Sequence, residues 1–114
     1  MISTHVLDTA RGRPAVGVPV LLEEVVGVEP PVSREVARAT TDADGRVRDL
    51  GPGGMALRAG TYRLTFDTAK YFSALAVESF YPEVVVTFVV RHAEQHYHVP
   101  LLLSAYGYST YRGS

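Results

Sequence analysis

Apolar and polar side chains alternate with a period of two through most of this chain, and Gly or Pro interrupts the alternation about every ten residues. Successive strand residues point to opposite faces, so the pattern predicts half-buried β-strands separated by turns. The first strand runs from Ile2 to Leu7 and is closed by a turn from Asp8 to Pro14. Pro19 to Val26 forms the second, ended by Gly27, Pro30 and Pro31. Val32 to Thr40 is the third, followed by the turn Asp42-Ala43-Asp44-Gly45. A short strand from Arg46 to Leu50 runs into the breaker Gly51-Pro52-Gly53-Gly54. Gly60 to Phe66 is a fifth strand, with Tyr62, Leu64 and Phe66 on one face. Asp67 or Thr68 then caps a helix through Glu78, whose buried stripe is Tyr71, Phe72 and Leu75. Glu83 to Arg91 is apolar on both faces, which predicts a central strand. Gln95 to Ser104 and Tyr108 to Gly113 complete about eight strands and one short helix, an all-β sandwich or barrel.

Parity sorts the strand residues into two sets. Tyr97, Val99, Leu101 and Leu103 share a core face, leaving His96, His98, Pro100 and Leu102 on the other. In the first strand Ile2, Thr4 and Val6 point inward, and Ser3, His5 and Leu7 point outward. In the last strand Thr110 and Arg112 share one face, Tyr111 and Gly113 the other. Histidines beside apolar residues on a nominally solvent face predict that the face is covered, often by another subunit. Chain ends commonly fray. One that carries Tyr106, Tyr108 and Tyr111 reads instead as a docked strand.

A chain of 114 residues, 46% hydrophobic and 20% charged, predicts one soluble globular domain spanning residues 1–114. Net charge is −1 and the arginines are scattered, which argues against nucleic acid or an anionic membrane surface as partner. The longest apolar run, Val84 to Val90, is too short to span a bilayer. Ile2 to Asp8 lacks the basic leader and apolar core of a signal peptide, so a cytoplasmic location is expected. With no cysteine, disulfide and thiol chemistry are excluded.

The candidate chemistry rests on histidine and arginine. His96 and His98 form a His-x-His pair, but a third ligand at diagnostic spacing is missing, so no metal site is assigned. His92 sits near a strand end as a solvated side chain. His96 is a secondary candidate. A single strand histidine is most often a hydrogen-bonded structural residue, and Arg46, following Asp44-Gly45, has a simple reading as a solvated strand start. No paired-carboxylate pattern, P-loop, GxGxxG or GxSxG motif is present. Residue patterns alone reach a β-sandwich with a histidine-bearing outer face and no reaction.

Three stretches together carry a resemblance. They are Ser3-Thr4-His5-Val6-Leu7-Asp8 with Gly12-Arg13-Pro14-Ala15, then Thr41-Asp42-Ala43-Asp44-Gly45-Arg46, and His96-Tyr97-His98-Val99-Pro100-Leu101-Leu102-Leu103-Ser104 followed by Tyr106 to Ser114. The chain resembles the 5-hydroxyisourate hydrolases of the transthyretin-like family across essentially its whole length. The amino-terminal motif is shared with transthyretin, whereas the final Tyr-Arg-Gly-Ser is specific to the hydrolase branch. Ala105 departs from the proline usual before Tyr-Gly-Tyr, and the Arg91-His92-Ala93 stretch is also unusual.

The resemblance implies a prealbumin-like sandwich of two four-stranded sheets and a homotetramer built as a dimer of dimers. Its active sites would lie in the tunnel between dimers. It implies catalytic roles for His5, Arg46 and His98, substrate contacts from His5, Arg46, Tyr111, Arg112, Gly113 and Ser114, and no metal or other cofactor. The reaction would be hydrolysis of 5-hydroxyisourate to 2-oxo-4-hydroxy-4-carboxy-5-ureidoimidazoline in urate catabolism. His98 or His5 would activate water, since imidazole titrates near neutral pH, and Arg46 would compensate developing negative charge. Ser114 offers a hydroxyl and, as the last residue, a carboxylate. Like-charge repulsion within the cluster should depress the histidine pKa values. The alternative is a transthyretin-type carrier of small aromatic ligands. That branch, as the resemblance implies, has lysine, glutamate and threonine at positions 5, 46 and 111.

Overall fold

A computed structural model describes residues 1–51 and 57–114; the Pro52-Gly53-Gly54 part of the predicted breaker lies outside the described residues. In chain order the elements are β1 (Ile2–Asp8), β2 (Arg13–Pro14), β3 (Pro19–Val26), β4 (Val32–Thr40), β5 (Arg46–Val47), β6 (Gly60–Phe66), α1 (Thr68–Ala74), β7 (Val84–Val90), β8 (Tyr97–Leu103) and β9 (Tyr108–Thr110).

Two sheets enclose the core. One has the order β4-β3-β6-β7; the other runs β2-β1-β8-β9, with β5 also paired to β1. The two-residue pieces β2 and β5 dock end to end on one edge of β1, because β8 occupies its other edge. The second sheet is therefore four strand positions wide, and the predicted all-β sandwich with one short helix is the observed architecture. Ile2, Val6, Val99, Leu101 and Leu103 of this sheet meet Val20, Leu22, Leu64, Phe66 and Val84 of the other. Each such side chain contributes about 1.5–3 kcal/mol when fully buried. The parity reading of β1 and β8 agrees with this inward set.

Pairing of β1 with β8 is parallel and sets Ser3 opposite His98 and His5 opposite Pro100. The Thr4 hydroxyl reinforces it, donating to the Val99 carbonyl at 2.6 Å. On the other edge of β1, antiparallel β5 sets Arg46 opposite His5. Strand order thus brings three segments remote in sequence onto one outer surface.

Three element ends and the position of one strand in its sheet differ from expectation. The helix stops at Ala74 instead of reaching Glu78, because Ala76 turns left-handed with φ of 56°. Val77 N–H then bonds the Phe72 carbonyl and Ala76 N–H the Ser73 carbonyl, a Schellman ending with alanine where glycine is usual. Strand β5 is shorter than predicted. Beyond Val47, Arg48 swings out to Asp44 and Asp42, and pairing resumes only where Leu50 N–H reaches the Ile2 carbonyl. Strand β7 is an edge strand, not a central one; among the described residues it pairs with β6 alone, and Val85 and Val89 of its outer face are 41% and 46% exposed. Finally, β9 ends at Thr110 instead of Gly113, although Gly113 still bridges His98 in the same register.

Candidate functional site

The Asp42–Arg46 turn is built to deliver an arginine. One oxygen of the Asp42 carboxylate accepts the N–H groups of Asp44 and Arg46, each at 2.9 Å. The Arg46 N–H is the main reason the Asp42 carboxyl is held below its ordinary range. Gly45 closes the turn with φ of +74°, and its carbonyl accepts from Val6 N–H at 2.7 Å. A Cβ there would stand 2.5 Å from the Val6 carbonyl oxygen, so close approach as well as dihedral demands glycine. Arg46 emerges half-buried beside His5.

His98 projects outward from β8 between two buried residues, Tyr97 and Val99. Its Nδ1 lies 2.8 Å from the Ser3 hydroxyl, and the same oxygen lies 2.7 Å from His96 Nε2. Its other ring nitrogen, Nε2, has no protein partner among the described residues. Burial lowers the His98 pKa below the ordinary histidine value; the charges of Arg46, His96 and His5 add to the effect in that order. Repulsion was the expected cause, but desolvation leads it. At neutral pH His98 is thus a neutral imidazole with one anchored nitrogen.

The terminal segment locks this ring. Gly113 N–H donates to the His98 carbonyl at 2.8 Å. A Cβ on Gly113 would lie 2.5 Å from His98 Cδ2 and 3.4 Å from Pro100 Cγ. The glycine of Tyr-Arg-Gly-Ser therefore has a mechanical explanation: it makes room for the imidazole. Ser104, whose N–H and hydroxyl both bond the Gly107 carbonyl, holds the preceding turn without the proline that Ala105 replaces.

Ser3, Arg46, Arg48, His96, His98 and Ser114 line an open cavity of about 400 Å³. Of the residues expected from sequence, Arg46, His98, Gly113 and Ser114 gather here, with His5 at the neighbouring register position. His96, a secondary candidate, belongs to it as well. Residue patterns assign no role to Ser3 or Arg48. Ser3 was legible only as an outward residue of β1, and its placement under His98 follows from parallel pairing that alternation cannot specify.

Tyr111 and Arg112 stand elsewhere in the protomer. Both border an apolar cleft of about 240 Å³ with Val86, Phe88, Tyr97 and Val99. The Arg112 guanidinium lies 4.5 Å over the Tyr97 ring and donates to the Gln95 side-chain oxygen at 3.2 Å, so it pairs with an amide and an aromatic face. Tyr111 is 58% exposed and falls in the gap between the end of β9 and the Gly113 bridge. A larger cavity of about 490 Å³ near Arg38, Asp67 and Glu83 has no histidine in its lining. Among the described residues no group of three or more His, Cys, Asp or Glu could hold a metal ion. His96 and His98 instead turn toward one hydroxyl.

Residues 2–113 match the HIUase/Transthyretin family. The chain belongs to that family. Among curated members it is 44% identical to the 5-hydroxyisourate hydrolase of Salmonella typhimurium, over all of this chain and 81% of the relative. It is also 44% identical to that of Caulobacter vibrioides, over 99% of this chain and 97% of the relative. The structure of Klebsiella pneumoniae 5-hydroxyisourate hydrolase superposes with a TM-score of 0.82 at 36% identity, covering 99% of this chain and 98% of that one. Transthyretin from Sparus aurata superposes with a TM-score of 0.89 at 27% identity, covering 98% and 95%. Backbone shape therefore does not separate the two branches of the family. The side chains around the cavity bear on that distinction directly.

Proposed function

We propose that this chain, as a single domain of residues 1–114, is a 5-hydroxyisourate hydrolase of urate catabolism. The observation that carries the reading is the convergence of His98, Arg46 and Ser114, from three remote segments, on one cavity. Hydrolase names on relatives 41–48% identical over 99% of this chain support it.

His98 is the proposed base. Its neutral form dominates near pH 7, its Nδ1 is held, and its Nε2 is left for water. Nε2 takes one proton as the water oxygen bonds to the ring acyl carbon. Arg46 offsets the charge on the resulting oxyanion. The ring carbon–nitrogen bond then breaks, and His98 returns its proton to the departing nitrogen. Water is thereby added across the bond, giving 2-oxo-4-hydroxy-4-carboxy-5-ureidoimidazoline without a cofactor. A positioned base of this kind contributes roughly 10²–10⁴-fold. His5 orients water or substrate beside Arg46, Gly113 keeps the imidazole in place, and Ser114 contacts the substrate.

The working form is a homotetramer, a dimer of dimers. Support comes from the outer face of β1 and β8, where half-buried Leu7 and Leu102 flank the histidines, and from the open apolar edge strand β7. Substrate contacts from Tyr111 and Arg112 require that assembled tunnel. No helix among the described residues is long and apolar enough to cross a membrane. We assign the enzyme to the cytoplasm.

The test is a spectroscopic assay with freshly generated 5-hydroxyisourate, measured against its spontaneous decay. Decay accelerated in proportion to enzyme is the expected result. Tight binding of small aromatic ligands by folded protein, with no acceleration, would favour the carrier and reject the hydrolase.

A further inference from the structure

We infer that Ser3 is a positioning residue, whose one hydroxyl sets the tautomer of His98 by linking it to His96. The inference rests on the hydrolase reading of this cavity and adds a residue to it.

Ser3 is only 5% exposed, so its hydroxyl must find partners inside the protein. Thr4, Thr9, Thr41, Thr68, Ser104 and Thr110 all donate their hydroxyls to backbone carbonyls. Ser3 does not. Both of its contacts are imidazole nitrogens, His98 Nδ1 at 2.8 Å and His96 Nε2 at 2.7 Å.

A hydroxyl has one hydrogen and accepting lone pairs. Between two ring nitrogens it donates to one and accepts from the other, so the choice on one ring dictates the choice on the other. When Ser3 donates to His96 Nε2, it accepts from His98 Nδ1–H. The His98 proton then sits on Nδ1, and Nε2 carries the lone pair a base needs. His96 is exposed, so solvent can satisfy its own Nδ1–H in this state. As His98 Nε2 takes a proton from water, the Nδ1–H bond to Ser3 becomes charge-assisted and strengthens. Ser3 and His96 together thus do for His98 what an orienting carboxylate does in a triad. No Asp or Glu side chain is among the described residues lining the cavity.

The experiment compares Ser3→Ala, Ser3→Thr and His96→Ala with the unaltered protein. Partners that orient metal-ligating histidines are typically worth roughly 10–100-fold, and the same order is taken for a hydroxyl that orients a base. Ser3→Ala is expected to lower kcat by about that factor with KM little changed, and Ser3→Thr, which keeps the hydroxyl, to restore most of it. Nitrogen NMR of ¹⁵N-histidine-labelled protein above pH 8 should show His98 protonated at Nδ1, with Nε2–H gaining population in Ser3→Ala and in His96→Ala. Unchanged kcat in folded Ser3→Ala would overturn the inference. So would equal losses in the Ala and Thr variants, or an unaltered His98 tautomer. Should Ser3→Ala fail to fold, exposed His96→Ala gives the same two readouts from the other end. The NMR arm needs no substrate. Absent turnover by the unaltered protein would therefore sink the hydrolase reading while leaving the tautomer link standing or falling on its own.

Discussion

Glu24, on the inner face of β3, accepts hydrogen bonds from Arg58 at 2.7 Å and from Arg34 at 2.5 Å. His98, on the outer face of β8, is surrounded by Arg46, His96 and His5. The first region compensates its buried charge, and the Glu24 carboxyl is accordingly held low, chiefly by the Arg58 hydrogen bond. The second crowds groups of like sign around a ring that burial already discourages from ionising. One arrangement stabilises a charge; the other withholds one. A sandwich of this size can carry both because strand parity keeps the inner and outer faces separate.

The contrast predicts that changes at the histidine face cost activity and changes at Glu24 cost stability. The largest expected effect is that of His98→Asn, which removes the base but keeps a polar side chain of similar reach. Turnover of 5-hydroxyisourate should fall roughly 10²-fold or more, with the melting temperature almost unmoved. A variant retaining most of its rate would exclude His98 as the base. Next is Gly113→Ala, which adds no charge and removes no functional group. Its Cβ, 2.5 Å from His98 Cδ2, must push the ring or the terminal segment aside. Small displacements of a reacting group can cost up to about 10²-fold. A loss of about tenfold or more in kcat/KM is expected; an unchanged rate would mean that the terminal segment simply lifts away and does not hold the imidazole.

Glu24→Gln sharpens the other side. Both arginines are more than half exposed, so the ion pairs are discounted for solvent screening, leaving a cost of about 1 kcal/mol. That corresponds to about 4 °C in Tm for a domain near this size, with turnover per folded molecule unchanged. The pH dependence has a definite sign. A depressed carboxyl pKa contributes stability above its unfolded value of 4.5, and the contribution is lost as pH falls through the folded value. Thermal melts of the two proteins should differ at pH 7 and converge in acid. A constant gap down to low pH would show that packing, not charge, is what Glu24 supplies.

Alternation made the fold and much of the histidine face legible, because period-two parity is local. Ile2, Thr4 and Val6 could be set against Ser3, His5 and Leu7 without knowing any partner strand. What could not be read is which strands meet. The parallel union of β1 with β8 joins residues more than ninety positions apart, and it alone sets Ser3 under His98. Residue identity misled at Ala76, where alanine occupies a left-handed position and ends a helix that its apolar spacing would have continued. Burial misled at β7. Two apolar faces usually mean two covering layers, whereas this strand has one in the protomer and presents Val85 and Val89 outward. Tyr111 shows the reverse limit: parity sets it with Gly113 and opposite Arg112, but β9 ends before it, and its ring borders the same cleft as Arg112, against Tyr97 and Val99.

The smallest effect probes the like-charge arrangement directly. Arg46→Gln removes the second-largest influence on His98 after burial, so the His98 pKa should move upward yet stay below the ordinary histidine value, because desolvation persists. Activity is a poor reporter here, since Arg46 is also the proposed oxyanion partner; the Cε1–H resonance of His98 followed through an NMR titration is the better one. Stability gives an independent sign. Where folding depresses a histidine pKa, the unfolded chain takes up its proton first. Stability is therefore complete above about pH 6.5 and declines as pH falls toward the folded value. Raising the folded pKa narrows that window, so Arg46→Gln should lose less stability on acidification than the unaltered protein. A downward or absent shift in the titration would mean that Arg46 is screened from the imidazole. The contrast with Glu24 would then rest on burial alone.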